Sequence, residues 1–167
     1  MKALLRVLAL LIGTSFALAQ FDGLPDYVKA HLGALQKYPR ASSILLWVGE
    51  DFTLNADGSQ VYEWHSFRWL PDEAARDSWG DPHVAYVDGR QVLDILAART
   101  YTRDGRTIDS TPQNAFNSIV PEGGLDKAPD YASFRHMVIT LLGLENGCIS
   151  ELHYRLTTAK PLWPWME

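Results

Sequence analysis

Residues 44–70 read ILLWVGEDFTLNADGSQVYEWHSFRWL, and this stretch decides the fold. Ile44, Leu46, Val48, Phe52 and Leu54 alternate with Leu45, Trp47, Gly49, Asp51 and Thr53, the two-residue period of a strand. Asp57-Gly58 then interrupts the run. Gly takes positive φ without steric cost and Asp or Asn tolerates it, so an Asx-Gly dipeptide between strand-like runs predicts an antiparallel hairpin with a primed turn. The returning run from Gln60 to Leu70 carries Tyr62 and Trp64 on one face and Phe67 and Trp69 on the other, which predicts burial on both sides.

Working outward, the same signal recurs at Asp88-Gly89, Asp104-Gly105 and Asn146-Gly147. Strands are predicted at His83 to Val87 and at Gln91 to Thr102, where Leu93, Ile95, Ala97 and Tyr101 share a face. Thr107 to Asp109 returns from Asp104-Gly105. A last hairpin is expected between Tyr131 to Leu142 and Cys148 to Thr158, with Leu152, Tyr154 and Leu156 opposite in facing to Glu151, His153 and Arg155. Between these runs, Pro71 to Asp77 reads as a polar segment with one helical turn, and Ser110 to Pro129 as a Pro- and Gly-rich loop with a turn of helix near Asn114. Pro25-Asp26 opens one short helix through Gln36, with Val28, Leu32 and Leu35 at helical spacing and Pro39 ending it. The expected fold is all-β, an antiparallel sandwich-like arrangement of about seven to nine strands with a short N-terminal helix.

Residues 1–19 carry the tripartite pattern of a secretory signal: Lys2 and Arg6, an apolar run from Val7 to Ile12, and the small-x-small site Ala17-Leu18-Ala19. The apolar run breaks at Gly13-Thr14-Ser15 and falls short of the ~20 residues of a spanning helix, so the expected product begins at Gln20 and is not membrane-embedded. The expected locale is periplasmic or extracellular. Residues 20–43 then form an N-terminal helical extension, 44–158 the antiparallel domain and 159–167 an exit segment, where Pro161 and Pro164 exclude a central strand. The formal charge is −5 and no basic stripe occurs, which speaks against nucleic acid as partner. Cys148 is the single cysteine, so no intrachain disulfide can form despite the oxidising compartment.

Leu96-Ala97-Ala98-Arg99-Thr100, Arg103-Asp104-Gly105-Arg106-Thr107, Ala128-Pro129-Asp130-Tyr131, Arg135-His136-Met137-Val138 and Leu144-Glu145-Asn146-Gly147-Cys148-Ile149-Ser150-Glu151-Leu152 follow one another in this order. Taken together they resemble the domain of unknown function that stands N-terminal to transglutaminase-like domains in exported bacterial proteins. The resemblance runs from about Ile44 to Leu156. It implies an extracytoplasmic, mostly β domain of unassigned role, joined in its relatives to a papain-like Cys-His-Asp catalytic domain. It also implies further strands past Pro161, so the domain is expected to be incomplete at its C-terminus and to lack the catalytic partner.

Candidate chemistry is sparse. Cys148 is the first nucleophile to weigh, because transglutaminase-like catalysis needs a thiolate beside a His. It opens a strand directly after Asn146-Gly147, without the helix N-terminus or cation that activates a thiol, and reads as a small buried residue. His31, His65, His83, His136 and His153 lack metal-ligand spacing, and read as strand and surface histidines. Glu50-Asp51 and Asp72-Glu73 are adjacent in sequence, so as strand residues each pair faces opposite ways and forms no acid/base couple. No catalytic residue, cofactor or metal is assigned.

Six tryptophans remain. Trp47, Trp64 and Trp69 are expected in the core, with Trp79 in a loop. Trp163 and Trp165, in the Pro-broken tail, are the candidate contacts for a partner or ligand. The first functional expectation is a non-catalytic accessory or scaffold domain whose partner is a downstream transglutaminase-like domain. Its rivals are a stand-alone periplasmic domain binding glycan or peptide, and a Cys-dependent hydrolase or transferase.

Overall fold

The computed structural model describes residues 21, 23–121 and 132–159. The signal segment, the tail with Trp163 and Trp165, and residues 128–131 of the resemblance lie outside these. The order is α1 (Asp26–Lys29), α2 (Gly33–Lys37), β1 (Ile44–Leu54), β2 (Gln60–Leu70), α3 (Glu73–Trp79), β3 (His83–Val87), β4 (Gln91–Tyr101), β5 (Thr107–Asp109), β6 (Phe116–Ile119), β7 (Phe134–Ile139) and β8 (Cys148–Thr158). The strands form a five-stranded sheet, β1-β2-β8-β4-β5, and a three-stranded sheet, β3-β7-β6. Every pairing is antiparallel. Among the described residues no helix is long and apolar enough to cross a membrane.

The mostly β, antiparallel expectation holds, but the hairpins are fewer than the turns. Asp57-Gly58 joins β1 to β2 and Asp104-Gly105 joins β4 to β5. Asp88-Gly89 and Asn146-Gly147 do not make hairpins: β3 pairs with β7 while β4 pairs with β8, so each of these turns carries the chain from one sheet to the other. The turns are also not of the doubly positive type. All four glycines have φ between 77° and 87°, whereas among the described residues none other than Gly has positive φ. At the two true hairpins the chain closes as a three-residue loop, with Gly58 N–H donating to Asn55 O at 3.0 Å and Asn55 N–H to Ser59 O at 2.9 Å. The pattern repeats between Thr102, Gly105 and Arg106, the bulged loop that needs positive φ only at its last residue.

Three further differences are local. The single predicted N-terminal helix is two short ones, α1 and α2, with the turn at Ala30 to Leu32 between them. The turn predicted near Pro71 extends into α3, capped by Asp72, whose carboxylate accepts from Ala75 N–H at 2.9 Å. The loop predicted from Ser110 contains β6, a four-residue edge strand too short for a periodicity signal.

Two apolar clusters lie on opposite faces of the five-stranded sheet. On one face Val84, Ile139, Phe116 and Met137 of the small sheet pack against Ala98, Leu93, Ile95, Leu152 and Tyr154. On the other, Leu24, Val28 and Leu32 of the N-terminal segment cover Leu46, Phe67, Tyr101 and Ile149. Trp47 and Trp69 pack at the margin of this second cluster. The helices cover only one end of that face, and beyond Phe67 it turns polar.

Candidate functional site

The polar end of this face is built by alternation. On β2, Glu63, His65 and Phe67 point one way; on β8, Glu151, His153 and Arg155 do the same, and the register sets Glu63 opposite Arg155, His65 opposite His153 and Phe67 opposite Glu151. Side chains directly opposite or diagonal across an antiparallel pair lie within reach of each other. The two imidazoles stack at 4.1 Å between centroids, 12° from parallel. Each then bonds diagonally to a carboxylate of the other strand: His65 Nε2 lies 2.8 Å from Glu151 Oε1, and His153 Nε2 lies 2.7 Å from Glu63 Oε1. A carboxylate only accepts, so in both rings Nε2 carries the hydrogen.

Glu151 is the deepest charge of the array, its side chain 4% exposed. It also accepts from Tyr101 Oη at 2.7 Å and from Arg99 Nη1 at 3.4 Å. Arg99 in turn donates to Asp109 Oδ1 at 2.8 Å, and that bond is the chief cause raising the guanidinium's pKa. Burial, then the bond to Glu151, pushes the Tyr101 phenol up. Glu63 accepts on its other oxygen from Arg155 Nε at 2.9 Å and Nη2 at 2.8 Å. The His153 bond, then the Arg155 bond, holds the Glu63 carboxyl below its usual range. His65 lies against Trp47 and Phe67 at 5.2 and 4.9 Å, and this burial lowers its pKa despite the carboxylate beside it. Beyond Glu63 and Arg155 the sheet opens into a groove of about 480 Å³ lined by Asp51, Thr53, Asn55, Val61 and Thr157.

These shifts make stability depend on pH in one direction. A histidine whose folded pKa is depressed contributes stability that is complete above its unfolded value, near 6.5, and is lost as pH falls through the folded one. Glu63 behaves alike from its unfolded value near 4.5 downward. The urea midpoint is therefore expected to drop in two stages on acidification. His65→Phe removes the first stage and Glu63→Gln the second, read from denaturation curves taken across the pH range.

The Nε2 atoms of both histidines and the carboxylates of Glu63 and Glu151 are all paired within the array. Among the described residues neither His65 nor His153 bonds a hydroxyl or thiol, and no three His, Cys, Asp or Glu side chains come together as a metal site. Cys148 is elsewhere, fully buried with Leu70 and Ala75 and packed by Leu144, and burial raises its thiol pKa. Of the other histidines, His31 is exposed, while His83 and His136 lie 5.7 Å apart on the small sheet. Glu50 and Asp51 face opposite ways, as alternation requires, opposite Trp64 and Glu63. Trp79 is 44% exposed with Arg68 stacked 3.6 Å over its ring. The His65–His153 pair was not legible from either strand alone, since it depends on the register between them. The recurring signal was the Glu-x-His spacing, present in both Glu63-Trp64-His65 and Glu151-Leu152-His153.

Comparison with known proteins agrees with this architecture. No curated protein matches the chain. A crystal structure of a candidate protease from Parabacteroides distasonis matches with a TM-score of 0.67 at 29% identity, over 74% of this chain and 24% of that one. The chain thus spans about a quarter of that longer protein. A family model described as a domain of unknown function with a solved structure matches residues 56–165. That match takes in most of the five-stranded sheet and all of the smaller one, and the chain belongs to this family, DUF3857.

Proposed function

We propose that this protein is a non-catalytic accessory or scaffold domain of an exported transglutaminase-like protein. The observation that carries the reading is the paired polar array: each imidazole Nε2 is bonded to a carboxylate, each of those carboxylates to a second donor, and among the described residues neither imidazole bonds a hydroxyl or thiol. A nucleophilic mechanism needs instead a hydroxyl or thiol bonded to the base. Cys148 supports the same reading, because burial among Leu70, Ala75 and Leu144 favours the neutral thiol over the thiolate that would attack. The sequence blocks from Leu96 to Leu152 support the transglutaminase-like association. Any proteolytic chemistry of the Parabacteroides distasonis protein is assigned on this reading to the remainder of that longer chain.

The reading has a direct test. The folded protein is expected to release no product from peptide and glutamine-amide substrates above the buffer rate, and Cys148 is expected to resist iodoacetamide until urea unfolds the chain. Turnover abolished by Cys148→Ser, or alkylation of the native protein at the rate of a free thiol, overturns it.

A further inference from the structure

The edge of the five-stranded sheet carries features that neither the core nor the polar array uses. Strand β1 pairs only with β2 among the described residues, and none of them covers its other backbone edge. After the irregularity between Leu45 and Trp47 its register runs unbroken to Leu54. Edge strands are ordinarily protected by shortness, Pro, Lys or a bulge, because a row of unpaired N–H and C=O groups templates another strand. From Trp47 to Leu54 there is no Pro and no Lys or Arg.

The two faces of this edge have different chemistry. Val48, Phe52 and Leu54 lie on the side of the small sheet, but that sheet packs over β4 and β8 and leaves them 41%, 63% and 63% exposed. Tyr62 and Trp64 of β2 continue the strip inward, opposite Phe52 and Glu50. On the other side Asp51 lines the groove and forms no ion pair or side-chain hydrogen bond among the described residues. Among the described residues Glu50 accepts a side-chain hydrogen bond only from the Tyr62 hydroxyl, at 2.9 Å. The face of Val48, Phe52 and Leu54 thus carries Glu50 between them, and among the described residues neither Glu50 nor Asp51 makes an ion pair, the Arg155 guanidinium of the same groove being held by Glu63.

We propose that β1 is a docking edge for an extended segment of another protein, added as a further strand of the sheet. The segment places alternate apolar side chains against Val48, Phe52 and Leu54 and a Lys or Arg beside Asp51. Charge selects this occupant over a second copy of this chain. In a second copy of this chain, the antiparallel register that sets Phe52 opposite Val48 also sets Glu50 opposite Glu50, and like charges directly opposite are destabilising. The proposal supplies the accessory reading with a surface, yet its test is separate from the turnover and alkylation assays.

Selection from a random dodecapeptide library on the full protein tests it. Enriched peptides are expected to alternate apolar residues, to contain Lys or Arg and to lack internal Pro. Asp51→Lys, an exposed change, is expected to weaken such a peptide by about tenfold, ~1.4 kcal/mol, and to enrich acidic peptides instead. Bound peptide is expected to slow amide exchange at alternate positions from Trp47 to Leu54. An unchanged urea midpoint shows that Asp51→Lys still folds. Failure to enrich any peptide overturns the proposal, as do equal binding to both proteins, protection away from β1, or a concentration-dependent dimer that itself protects β1.

Discussion

Replacing Glu151 with Ala is expected to lower the unfolding free energy by about 3–5 kcal/mol, the range for breaking a buried charged network by removing one partner. The carboxylate lies almost wholly out of water, and three donors converge on it from β2 and β4. Removing it strands the hydroxyl of Tyr101, a residue 4% exposed, and takes from His65 the acceptor that fixes its ring against His153. An unpaired buried polar group costs the full desolvation of that group, which exceeds what the hydrogen bond itself contributes. Glu151→Gln keeps the shape and an acceptor for Tyr101, and is expected to retain roughly half of the loss. Arg99 keeps Asp109 in both variants, so its side chain is not left without an anion. Urea denaturation of the two variants checks the order: Ala far below Gln, Gln below wild type. Equal midpoints for Ala and wild type would remove the array from the account of stability.

Phe67→Ala is expected to cost a similar amount, about 3–5 kcal/mol, by a different mechanism. Phe67 is fully buried at the place where the helices, the sheet and the polar array meet. Its ring lies 6.1 Å from Tyr27 of α1, 6.2 Å from Trp47 of β1, 4.9 Å from His65 and 6.1 Å from Tyr101 of β4. Truncation leaves a cavity these neighbours cannot all collapse into, since His65 and Tyr101 stand on strands held by ladders on both sides. The cavity also opens directly opposite Glu151, so water gains a route to the buried carboxylate. Two readouts separate this from a plain core defect. The Trp47 emission is expected to shift to longer wavelength, and the His65-dependent acid stage of the urea midpoint is expected to shrink as His65 becomes hydrated. A Phe67→Leu variant, which refills most of the volume, is expected to restore both.

Much of this arrangement was legible in the residues. The alternation from Gln60 to Leu70 set the faces of β2, and that from Cys148 to Thr158 placed Glu151, His153 and Arg155 together on β8; on β1 and β4 it did not, because irregularities at Leu45/Trp47 and Ile95/Ala97 turn Ile44 and Leu46 to the opposite face from Val48, and Leu93 and Ile95 to the opposite face from Ala97 and Tyr101. Glu50 and Asp51 face apart because successive strand residues must. The buried, unactivated state of Cys148 also followed from its place at a strand start after a Gly turn. What misled was the reading of every Asx-Gly as a hairpin. The dipeptide reports that Gly can take positive φ at that point, and a corner between two sheets needs this as much as a hairpin does.

The local signals, period and turn chemistry, were therefore sufficient for an antiparallel β protein with a short helical segment before its N-terminal strand, because they act over a few residues and are written in consecutive side chains. The partners of each strand were not. β2 and β8 are separated by about ninety residues in the pairs His65–Glu151 and Glu63–His153, and nothing in either strand names the other or its register. That choice belongs to the packing of the whole domain: the small sheet covers Leu152 and Tyr154, the helices cover Phe67 and Ile149, and between them β8 is drawn into the centre of the large sheet. Burying both apolar clusters at once selects one register. The stacked histidines, the sunken Glu151 and the edge at β1 are consequences of that selection.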